Sequence, residues 1–119
     1  MKRVLLLGVL VVLSSTAAHA QRVSVFTGND LLRWCESEPG EFEYGLCYGY
    51  IIGASDMKSE VVIERQLFCP DPSMENGQIV DVVVKYLKDH PENRHSDAAI
   101  LVAVALMKTF PCSAKGDLR

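Results

Sequence analysis

The chain has 119 residues, 15 acidic against 12 basic side chains, a formal charge of −3 and four cysteines. Such a length holds one small domain with a core too modest to be secure without covalent help. A net acidic chain would have to assemble a basic face against its own field to bind nucleic acid, so no nucleic-acid partner is expected, and an acid excess is compatible with a basic protein partner.

In chain order, Lys2 and Arg3 precede an apolar run from Val4 to Leu13, followed by small residues and Ala18-His19-Ala20. This is the pattern of a cleaved signal peptide over residues 1–20, with the mature chain starting at Gln21. The run is roughly half of what a membrane-spanning helix needs, and no other segment is longer or freer of charge, so no membrane anchor is expected. Gln21 rather than a cysteine argues against a lipoprotein and for a periplasmic or extracellular domain over 21–119. Residues 1–20 carry two of the basic residues and none of the acidic ones, which leaves ten bases against fifteen acids, a formal −5, on the remainder.

Thr27 with Asp30 three residues on reads as a capping box that opens a short helix through Leu31, Leu32, Trp34 and Cys35 and stops before Pro39-Gly40. A second helix is expected from Glu41 past Met57, with Phe42, Leu46, Tyr50 and Ala54 as its apolar stripe. It extends toward Arg65 unless Val61, Val62 and Ile63 are extended. Gly45, Gly49 and Gly53 fall four apart on it, a face without side chains, where each glycine costs about 1 kcal/mol relative to alanine. That spacing predicts close packing of another helix, within the subunit in the first instance and between subunits otherwise.

Cys69-Pro70-Asp71-Pro72 is a rigid link, and the motif Asn76-Gly77 precedes a helical pattern rather than a hairpin. The third helix runs from Asn76 to Asp89 with Ile79, Val82, Val83, Tyr86 and Leu87 on its apolar face, and His90-Pro91 ends it. After the polar connector Glu92-Asn93-Arg94-His95, Ser96 caps a fourth helix, Asp97 to Thr109, whose apolar residues lie nearly all round, as expected of the central helix. Pro111 closes it, and Ser113 to Arg119 reads as a frayed tail. The expected fold class is all-α, a small antiparallel four-helix bundle-like domain braced by two disulfides.

An even cysteine count in a short exported chain predicts disulfides. With short connectors the second and fourth helices finish at one end of the bundle, which favours Cys69 with Cys112, and Cys35 with Cys47 across the hairpin at the other. In the loop-entropy model the shorter bridge contributes about 3 kcal/mol and the longer about 4. No C-x-x-C and no cysteine pair at zinc-ligand spacing is present, so neither redox chemistry nor zinc is expected. His90 and His95 lack a third ligand, and no other metal or cofactor is expected. Glu36, Glu38, Glu41 and Glu43 read as a solvated acidic patch rather than catalytic carboxylates, and Asp56 as a buried partner of a helix end or of Tyr50. No nucleophile elbow, phosphate loop or H-E-x-x-H occurs, so no enzyme is expected. An exported, disulfide-braced helical domain without a catalytic set is expected to bind something.

Several strings, in order, are Thr27-Gly28-Asn29-Asp30-Leu31, Cys47-Tyr48-Gly49-Tyr50-Ile51-Ile52-Gly53, Cys69-Pro70 and Gln78. They continue with Asp81-Val82-Val83-Val84-Lys85-Tyr86-Leu87, His90-Pro91, Arg94-His95, Ala98-Ala99 and Phe110-Pro111-Cys112. Together they resemble the Rap/Tai immunity protein family. The resemblance implies a small helical periplasmic protein, often a homodimer, that binds a peptidoglycan amidase effector delivered by type VI secretion and occludes its cleft. For such a role the two rigid elements that could enter a cleft are the proline-framed link Asp71 to Glu75 and the turn His90 to His95, and the turn is preferred, with His90, Glu92, Asn93, Arg94 and His95 as its binding candidates. The rival class is a periplasmic acid-stress chaperone of the Hde type, also small and disulfide-bonded.

Overall fold

The computed structural model describes residues 25–60 and 67–113, with the backbone alone for 57–60. The expected signal peptide, the stretch from Val61 toward Arg65 and the tail beyond Ser113 lie outside the described residues. Four α-helices follow one another: α1 (Gly28–Cys35), α2 (Phe42–Glu60), α3 (Asn76–Asp89) and α4 (Ala98–Thr109), with one 3-10 turn, Pro91–Asn93, between the last two. The fold is all-α; among the described residues the nearest thing to a sheet is a single antiparallel bridge between Thr27 and Asp97. No described helix is long and apolar enough to cross a membrane.

The capping box predicted for α1 is present. The Thr27 amide and hydroxyl both donate to Asp30 Oδ2, at 3.0 and 2.8 Å, and the Asp30 amide donates to Thr27 Oγ1 at 3.3 Å. For α4 the cap is Asp97 and not Ser96: its Oδ1 accepts from the amides of Ala99 at 2.9 Å and Ile100 at 3.4 Å. Ser96 is taken up instead in joining the turn to α1, where its carbonyl accepts from Gly28.

All four helices touch one another around one core, in which Leu31, Ile51, Val83, Leu87, Val102 and Leu106 are fully buried. Helix α4 contributes most to it, with Ala98, Leu101, Val102, Ala103, Ala105 and Leu106 buried, as its all-round apolarity requires. Of the expected apolar stripe of α2, Tyr50 and Ala54 are half-buried against the core, but the stripe is turned so that its first half faces out. Cys47, Ile51 and Ser55 face inward, spaced four apart, whereas Phe42 is 76% exposed and Leu46 36%. The buried Ser55 hydroxyl is satisfied by the Ile51 carbonyl at 2.7 Å.

Both disulfides join the expected partners. Cys35–Cys47 closes the α1–α2 hairpin with its Cα atoms 5.0 Å apart. Cys69–Cys112 ties the segment before α3 to the end of α4, Cα to Cα 4.9 Å, and beside it the Cys69 amide donates to the Phe110 carbonyl at 2.9 Å. An aromatic cluster completes the frame: the rings of Phe26, Trp34 and Tyr50 meet edge to face, with centroids 4.8 to 6.3 Å apart, joining the N-terminal segment to α1 and α2.

The glycine face does not pack as expected within the chain. Gly45, Gly49 and Gly53 are all exposed, and a Cβ placed on any of them meets no described residue within 4 Å. The rotation of α2 explains it: the disulfide holds Cys47 against α1, and the glycines lie on the opposite side of the helix. The close approach occurs at Gly28, where a Cβ would run into Leu101 Cδ1 and lie 3.1 Å from the Arg94 backbone.

Candidate functional site

The turn between α3 and α4 is pinned to the start of α1. The Arg94 and Ser96 carbonyls accept from the amides of Asn29 and Gly28, each at 3.0 Å, and the Ala98 amide donates to Phe26 O at 3.0 Å. These bonds need the backbones in contact, which is why a glycine stands at 28. Pro91 fixes the first residue of the 3-10 turn, and the Asn93 amide closes it onto the His90 carbonyl at 3.1 Å.

Each of the five candidate residues of this turn has a definite place. His90 caps α3: its amide donates to the Tyr86 carbonyl at 3.1 Å, and its Nδ1 lies 2.9 Å from the same oxygen. Its ring stacks on Tyr86 at a centroid distance of 4.1 Å, and Lys108 Nζ lies over the Tyr86 ring, 5.3 Å from its centre. Arg94 turns back on the same helix end, donating from Nε to the Leu87 carbonyl at 2.7 Å and from Nη2 to the Lys88 carbonyl at 3.4 Å. It thereby satisfies carbonyls that end α3 without an intrahelical partner. Arg94 is thus engaged in closing α3, and Asn93 is half-buried beside it. Glu92 and His95 are exposed.

The rival link is held by its own side chains. The Ser73 amide and hydroxyl both donate to Asp71 Oδ1, at 2.8 and 2.6 Å, which holds the Asp71 carboxyl below its ordinary range. Among the described residues no three His, Cys, Asp or Glu side chains converge as a metal site would require. Asp56 is exposed rather than buried. It is Asp97 that acts on Tyr50, whose hydroxyl is pushed up from its ordinary value first by burial and then by that carboxylate.

The α1–α2 hairpin carries a feature not expected from the sequence. Gly40, at φ +100°, turns the chain where a side chain would be strained, and the Glu41 amide donates to the Glu38 carbonyl at 3.0 Å. Phe42 follows at the start of α2, exposed, with Glu38, Glu41 and Glu43 exposed about it. Glu36 lies 3.8 Å from Lys88, two residues from His90, so the hairpin borders the turn. The local signal for an outward Phe42 was Cys47: a cysteine bonded back to Cys35 must face α1, and a residue five positions before it on a helix lies well round the cylinder.

No curated protein matches the chain at a significant level. The family model of the Rap1a immunity proteins matches residues 27–112, from the cap of α1 to the last cysteine. The match takes in both disulfides, all four helices and the pinned turn, and on it the chain belongs to the family of Rap1a immunity proteins.

Proposed function

We propose that this chain is an immunity protein exported to the periplasm through the signal peptide of residues 1–20, where it binds and inhibits a peptidoglycan amidase effector delivered by type VI secretion. The observation that carries the reading is the family match over the whole disulfide-braced domain, residues 27–112. The role is non-enzymatic: an inhibitor works by occupying a cleft and needs a rigid, preformed surface rather than a reacting group. Two disulfides and a turn pinned by three backbone hydrogen bonds supply that rigidity.

The turn at Pro91 is one face of the binding surface, with Glu92 and His95 as the groups that reach the effector, and His90, Asn93 and Arg94 holding them in place. A homodimer is the accompanying reading for the assembly: the uncovered backbone at Gly53, about three turns along α2 from Phe42, gives a second copy a place to approach clear of the α1–α2 hairpin. The test is protection in cells. Directing a type VI amidase effector of the source genome to the periplasm should lyse a host, and co-expression of this chain with its signal peptide should restore growth. Lysis that continues with the folded chain present in the periplasm contradicts the proposal.

A further inference from the structure

Phe42 is the most exposed aromatic among the described residues, at 76%, and it opens α2 without touching the core. Leu46, one turn on and 36% exposed, continues the same side of the helix. Phe42 and Leu46 are neighbours on the helix surface, and adjoining exposed apolar side chains rimmed by polar residues mark interaction sites, whereas isolated ones do not. The frame is rigid: Cys35 and Cys47 are bonded across the turn, Cys47 is 1% exposed, and the Glu41 amide closes the turn onto Glu38.

The charge around Phe42 is of one sign. Between Arg33 and Lys58 the sequence holds Glu36, Glu38, Glu41, Glu43 and Asp56 and neither a lysine, an arginine nor a histidine. Lys88 approaches Glu36, at 3.8 Å, and no ion pair within 4.0 Å reaches Glu38, Glu41 or Glu43 among the described residues. At this end of α2 a second copy is a poor occupant. A two-fold interface sets the same patch against itself, so carboxylate would face carboxylate with no base to relieve them. A partner of opposite charge gains on both counts, from attraction at encounter and from burial of the ring.

We infer that the α1–α2 hairpin is a docking surface for the amidase effector, with Phe42 and Leu46 seated in an apolar pocket whose rim is lysine- or arginine-rich and meets Glu38, Glu41 and Glu43. The inference rests on the immunity reading and adds a surface to it. Because Glu36 and Lys88 join the hairpin to the turn at Pro91, one interface of ordinary size, about 800 Å² on each partner, spans both.

The test uses the full mature protein, with the type VI amidase effectors of the source genome, purified, as probes. Binding is followed by calorimetry and by association kinetics at about 50 mM and about 300 mM salt, a range that screens steering between exposed charges. Phe42→Ala should keep the wild-type circular dichroism and melting temperature and weaken binding at least tenfold, chiefly through faster dissociation. The triple variant Glu38→Lys, Glu41→Lys, Glu43→Lys should slow association at least tenfold at low salt and abolish its wild-type decline with salt. If both variants stay folded and bind as the wild type does, the hairpin is not the docking surface, while the immunity reading stands. If the wild type binds none of the effectors, that reading falls and takes the inference with it. If ultracentrifugation shows a wild-type dimer that Phe42→Ala dissociates, the occupant is a second copy and the inference is overturned.

Discussion

At the scale of single residues, two glycines of similar appearance in the sequence do opposite things. Gly28 stands where backbone meets backbone: a methyl group there would press on Leu101 and lie 3.1 Å from the Cα and carbonyl oxygen of Arg94, which are held by the hydrogen bond to Asn29. Gly49 stands on an open helix face. Gly28→Ala should therefore destabilise the domain by about 1–3 kcal/mol, the range of overpacking. Gly49→Ala should stabilise it by about 0.5–1 kcal/mol, since alanine restricts the unfolded chain and meets nothing in the folded one. Urea unfolding at low protein concentration reads both signs. A destabilising Gly49→Ala would mean that the face is covered.

The capping carboxylate of α1 makes a pH-dependent contribution. Asp30 titrates below its ordinary value of 3.8, chiefly because the Thr27 amide donates to it, then through the Thr27 hydroxyl and Arg33. A carboxyl lowered on folding gives stability that is whole above the unfolded value and is lost as the pH falls through the folded one. Asp71 and Asp89 are lowered too, by Ser73 and by Lys85. The wild type should thus lose melting temperature between neutral pH and about pH 3, and Asp30→Asn, less stable at neutral pH, should lose less over the same interval. Equal losses in the two proteins would show that the cap contributes no such term.

At the scale of elements, the four helices and most of their ends were legible because the boundaries have local chemical causes, the cap of α4 being misplaced by one residue, at Ser96 for Asp97. Thr27 and Asp30 form a box, His90-Pro91 cannot continue α3, and α4 is apolar enough to be central. The phase of α2 was not read from hydrophobicity. Phe42, Leu46, Tyr50 and Ala54 make a stripe at helical spacing as good as that of Cys47, Ile51 and Ser55, and a periodicity argument cannot choose between stripes when both recur every four residues. The covalent constraint chooses: the bridge to Cys35 points Cys47 inward and carries the glycines out to solvent. The candidate turn was likewise legible as an element and not in its parts. Proline and polar residues mark a connector, whereas the use of Arg94 to close α3 depends on the chain folding back by seven residues, which no local pattern specifies.

At the scale of the molecule, each bridge secures one connection, and each is worth a large fraction of what a domain this size has. By loop length, the bridge spanning 12 positions contributes about 3 kcal/mol and that spanning 43 about 4, against a typical total of about 5–15. What results is a small body with a stiff hairpin and a pinned turn side by side, acidic about the exposed ring of Phe42. That arrangement suits a protein whose work is to hold a surface in place against another. The family match makes that other surface one of a protein effector.

The most direct measurement of the central claim is the hydrolysis of purified peptidoglycan by a type VI amidase effector of the source genome, titrated with residues 21–119 of this chain. The account predicts that hydrolysis stops at about one equivalent and that enzyme and protein elute together as one complex. Undiminished hydrolysis by every such effector at excess folded protein, with no complex formed, would contradict it.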